Sequence, residues 1–138
     1  MIIMNNHISP LPAANTGRRH LLSRCLVAFL LGFVSLFLLF FLGEGLGEPA
    51  MYIGVGAFSL CAQLFLSRGH VAALRKDWPI ILCLNFMVLV STVLCFALEH
   101  NNPGAHLTAL VLAGIAVACS YAGAGLAARI AHNRTPAV

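Results

Sequence analysis

Apolar residues fill four long runs of this chain, and short polar, glycine-rich or proline-containing segments separate them. The runs cover about residues 25–42, 50–66, 79–98 and 107–128. At 1.5 Å per residue, the first run reaches roughly 27 Å as a helix, close to the ~30 Å hydrocarbon core of a bilayer. The pattern predicts an all-α fold, a bundle of four transmembrane helices running antiparallel in an up-down order. The first run exceeds the roughly 7–15 apolar residues of a signal peptide. The segment after it, Gly43-Glu44-Gly45-Leu46-Gly47-Glu48-Pro49, is a poor cleavage site, so the run is expected to be retained as a span.

The connecting segments divide the chain further. Residues 1–24 read as a flexible N-terminal segment, 25–130 as the membrane domain and 131–138 as a short tail. Between the second and third spans, Val71, Leu74 and Trp78 recur at i, i+3 and i+7, one face of a helix. That face fits a segment in the headgroup layer anchored by Trp78, and an ordinary polar loop fits equally. Pro79 suits the first turn of span three, and the Asp77 carboxylate beside it favours a helix N-terminus. Asn102-Pro103-Gly104 predicts a tight turn, with Pro and Gly at the central positions of type II.

Charge orients this pattern. All eight Lys and Arg fall in the N-terminal segment, the middle loop and the C-terminal segment, while Glu44, Glu48 and Glu99 mark the first and third connections. Short loops rich in Lys and Arg face the cytoplasm. Both termini are therefore expected on the cytoplasmic side of an inner (plasma) membrane. Composition agrees: 60% of residues are hydrophobic and 9% charged, too few charges to cover a water-facing surface. The net charge of +4 follows from the flanking cations, and no basic stretch is long enough to track nucleic acid. Cys25, Cys61, Cys83, Cys95 and Cys119 all lie in apolar runs without a CxxC, which excludes a disulfide framework and a zinc site and leaves packing.

Lipid is as apolar as leucine, so spans associate through small residues and interhelical hydrogen bonds. Each span offers a stripe of that kind: Ala28, Gly32 and Ser35; then Tyr52, Gly56, Ser59 and Gln63; then Asn85, Thr92 and Glu99; then Gly114, Ala118, Ala122 and Gly125. Gln63 and Asn85 are the most polar groups inside the spans and are expected to form an intramembrane polar contact, either as a packing clamp or as a station on a solute path.

Candidate chemistry gathers on the outer face. Glu44, Glu48, Glu99, His100 and His106 could approach one another across short connections and hold a divalent cation or titrate near neutral pH. No span has a mid-membrane His for paired haem ligation, and none has a central Asp, Glu, Lys or Arg of the sort that marks a proton pathway. No cofactor and no catalytic residue is implied. The expected function is that of a non-enzymatic accessory or interaction protein whose partners are the lipid bilayer and another membrane protein or a second copy. The alternatives are a subunit of a small oligomeric transporter or channel, and an outer-face cation or pH sensor.

Overall fold

The structure is a computed structural model that describes residues 14–68 and 77–134, with side chains from Gly17 onward. Helices make up 93% of the described residues and no strand occurs among them, so the all-α class holds. The helices are α1 (Ala14–Leu46), α2 (Glu48–Leu66), α3 (Trp78–Leu98) and α4 (Pro103–Arg134). Each is long and apolar enough to cross a membrane. The amphipathic reading of Val71 and Leu74, and residues 1–13 and 135–138, lie outside the described residues.

Helices α1 and α4 outrun the expected spans. Residues 14–24, expected to be flexible, are the first turns of α1, and α4 continues through the start of the expected tail. No proline interrupts residues 14–46, and nothing stops a helix at the edge of hydrocarbon. The first connection is shorter than expected. Gly47 alone is non-helical, at φ 86°, and Pro49 lies in the first turn of α2. That φ falls in the left-handed region that glycine enters without steric cost.

The expected type II turn at Pro103-Gly104 is not formed. The chain turns earlier, where the Asn102 N–H donates to the Glu99 carbonyl at 3.1 Å. Pro103 and Gly104 are instead the first residues of α4, and among the described residues Gly47 alone has a positive φ. Two preferences account for the shift. Proline is preorganised for the first helical position, and the Asn102 carboxamide oxygen caps the helix by accepting from the Ala105 N–H at 3.3 Å.

Helix α2 packs along α4 and α1 along α3, with further contact between α1 and α2 and between α3 and α4; α2 and α3 barely touch. Two glycines allow the closest approaches. A methyl group on Gly32 would stand 2.6 Å from the Leu84 carbonyl oxygen, and one on Gly123 would stand 2.6 Å from that of Leu60. One apolar cluster joins Met51, Val55, Val88, Leu112 and Ala116, and another joins Ala28, Ala62, Leu66, Ile80 and Leu84. The stripes of the first two spans face inward as expected: Ala28, Gly32, Ser35, Gly56, Ser59 and Gln63 are buried, and Tyr52 is half-buried. In α3 the stripe fades outward, from buried Asn85 through half-buried Thr92 to exposed Glu99.

Helix α4 is turned the other way. Gly114, Ala118 and Ala122 are exposed and Gly125 is half-buried, while Ala113, Ala116, Ser120, Gly123, Ala124 and Ala127 make the buried face. Both faces are built of small residues, so size alone does not choose between them. Ser120 does, by bonding to α3, together with Gly123 against α2.

Filling the close approaches tests this packing. Gly32→Ala and Gly123→Ala are expected to destabilise the fold by about 1–3 kcal/mol each, the usual cost of overpacking. Gly114→Ala, whose methyl would meet nothing within 4 Å, is expected to cost nothing. Unfolding of the three variants in detergent micelles gives the comparison.

Candidate functional site

The most polar part of the interior lies where α1, α2 and α3 converge. The last carbonyls of a helix have no partner within it. At the end of α2, the Ser67 N–H donates to the Gln63 carbonyl, and the Leu66 carbonyl is taken by Arg24 of α1. Arg24 Nε donates to that oxygen at 3.1 Å and Nη2 donates to it as well. A guanidinium is suited to this role because its planar fork presents several donors.

Arg24 also faces Asp77, with Nη2 and Oδ1 3.8 Å apart. The Asp77 residue precedes α3, but its carboxylate makes no capping bond to that helix. It accepts instead from Ser67 Oγ at 3.3 Å, and Ser67 Oγ accepts from Gln63 Nε2 at 3.0 Å. Gln63, Ser67 and Asp77 are all buried. The chain of contacts thus runs Gln63–Ser67–Asp77–Arg24 and returns to the backbone at Leu66, tying three helices together. Burying charge is costly unless the charge is paired and hydrogen-bonded, and here each ion has both.

A second contact lies deeper. Ser120 Oγ donates to the Ala116 carbonyl at 2.8 Å, which leaves its lone pairs to accept from Asn85 Nδ2 at 2.9 Å. The same Asn85 amide donates to the Ile81 carbonyl at 2.8 Å. Gln63 and Asn85 are therefore both buried polar contacts, but not with each other: one reaches α3 through Ser67 and Asp77, the other reaches α4. Gln63 Oε1 and Ser35 Oγ have no hydrogen-bond partner among the described residues.

No group of three or more His, Cys, Asp or Glu among the described residues is placed to hold a metal ion. Glu44, Glu48, Glu99 and His100 are exposed. Glu99 accepts from Asn102 Nδ2 at 3.3 Å. The His106 ring stacks on Phe96, with centroids 4.3 Å apart and planes at 17°, and its Nε2 has no hydrogen-bond partner among the described residues. Glu48 reaches a cavity of about 560 Å³, which Met51, Ser91, Thr92, Asn102 and Leu112 also line. The hydroxyls of Ser91 and Thr92 donate to the Met87 and Val88 carbonyls of their own helix.

The role of Arg24 and Asp77 lies beyond the sequence reading, in which they orient and start helices. One signal was present. Asp77 is the single acidic residue in a segment that otherwise carries only cations, whereas Glu44, Glu48 and Glu99 lie in segments without any.

Comparison of the chain with protein families, with curated proteins and with solved structures gives no match.

Truncating one ion strands the other. Asp77→Ala is expected to cost about 3 kcal/mol, at the low end for a broken buried pair because the charges are 3.8 Å apart. Asp77→Asn should cost less, since its carboxamide oxygen still accepts from Ser67. In the Arg24→Leu/Asp77→Ala double variant the loss should fall short of the summed single losses. A double-mutant cycle in micelles measures the coupling.

Proposed function

We propose that this chain is a small integral protein of the inner (plasma) membrane that acts without catalysis, by docking α4 against a helix of another membrane protein or of a second copy. In this reading the four helices alternate up and down and both termini are cytoplasmic. The orientation rests on the confinement of all Lys and Arg to alternate segments.

The docking role rests on one observation, the outward face of α4. Gly114, Ala118 and Ala122 lie exposed along it, with Gly125 beside them, and methyl groups on either glycine would meet nothing within 4 Å. Leu107, Val111, Tyr121 and Leu126 flank the strip. A shallow strip of small residues between larger ones lets a second backbone come close and gain dispersion contacts and weak hydrogen bonds. Large side chains suffice for an outward face that meets only lipid, and that of α1 is of this kind. Its spanning window is the most apolar of the four, only 17% of that window is buried, and Phe37, Phe40 and Phe41 point outward.

A transporter would be expected to route solute past Gln63 and Asn85. Both side chains are at most 2% exposed and are bonded within the bundle, the geometry of a clamp. A cation sensor would be expected to gather three or more ligands, and no such group of His, Cys, Asp or Glu is found among the described residues.

The Gly114→Leu/Ala118→Leu variant is expected to lose chemical cross-links to its partner or second copy in native membranes, while its unfolding midpoint in micelles stays that of the parent. Undiminished cross-linking, or a parent chain that stays a lone monomer in mild detergent, would remove the docking reading. Reporter fusions that place the segment between Ser67 and Trp78 outside the cytoplasm would overturn the orientation.

A further inference from the structure

The last turns of α2 and α4 form the sides of a cleft of about 340 Å³. Cys61, Leu64 and Phe65 line it from α2 and Ala127 and Ile130 from α4, with Arg68 and Arg134 at the helix ends. Arg68 follows the end of α2 and Arg134 ends α4, so both cations stand at the ends of membrane-spanning helices. Both residues are exposed, and among the described residues neither guanidinium takes part in a hydrogen bond or an ion pair. Arg24, by contrast, is committed to the Leu66 carbonyl and to Asp77.

The occupant must satisfy two requirements at once. A soluble anion would use the arginines and leave the apolar walls wet. A neutral alkyl chain would cover the walls and leave two cations unmatched. A molecule with a phosphate at one end and hydrocarbon at the other uses the whole cleft, and the membrane supplies it. Basic pockets between transmembrane helices have this affinity for anionic lipid headgroups. We propose that the cleft holds one anionic phospholipid, its phosphate between Arg68 and Arg134 and an acyl chain along Leu64, Phe65 and Ile130. This site is independent of the docking strip and of the side on which the termini lie.

Native mass spectrometry of the full chain, released from a neutral detergent and titrated with lipids, tests the proposal. The parent is expected to retain one phosphatidylglycerol and to release phosphatidylcholine and glycerol phosphate. Arg68→Gln/Arg134→Gln should weaken retention about thirtyfold, the combined effect of two arginines beside an anionic headgroup. Cys61→Trp, an exposed cleft residue, should block the lipid with both arginines in place. Arg18→Gln/Arg19→Gln, which removes as much charge from α1, should leave retention unchanged.

Equal retention of phosphatidylcholine, or an Arg68/Arg134 variant that binds like the parent, would overturn the site. So would an equal loss in the Arg18/Arg19 variant, which would assign binding to diffuse charge. Glycerol phosphate held as tightly as the lipid would assign the arginines to a free anion and end the lipid reading. Circular dichroism confirms that each variant keeps its helices; should Cys61→Trp lose them, the exposed arginine pair decides alone.

Discussion

Hydrocarbon gives these helices no hydrophobic reason to meet, so the fold depends on how closely their backbones can come. Gly32 against the Leu84 carbonyl and Gly123 against the Leu60 carbonyl set that distance for the pairs α1–α3 and α2–α4. A short polar contact then joins a third pair, α3 and α4, where Asn85 donates to Ser120. The apolar clusters around Val55 and Leu84 then fill what the close contacts leave.

Depth in the bilayer sorts the polar contacts by strength. Neutral groups occupy the middle of the helices, where one interhelical hydrogen bond joins Asn85 to Ser120, of a kind worth ~0.6 kcal/mol on average. The ion pair lies at the helix ends, with Arg24 in an early turn of α1 and Asp77 just before α3. A charge near the headgroups can snorkel to water while the bundle assembles, and so its burial costs less than at mid-membrane. Arg24 also satisfies the open end of α2, so one side chain joins an ion pair and caps a helix.

The sequence was legible where one face differed from the rest. In α1 and α2 the few small or polar positions, such as Gly32, Ser35, Ser59 and Gln63, stand out against Leu and Phe and were placed on the correct side. In α4 the contrast fails. Gly, Ala and Ser occur around the whole helix, and two small-residue faces compete, offset by a residue or two. Partner geometry selected the face with Ser120 and Gly123, which no periodicity within α4 could reveal. The Arg24–Asp77 pair was hidden for a related reason, since it joins residues far apart in the chain through a close contact of three helix ends. The Pro103 turn was misread because Asn102 serves both as the end of a turn and as a helix cap.

Gly47 carries a mechanical consequence. With one non-helical residue between α1 and α2, the two helices share no slack. Neither can slide along the membrane normal unless the other follows. A thinner or thicker bilayer must therefore be met by tilting this pair as a unit, a response that mismatch energies of fractions of a kcal/mol per Å can drive.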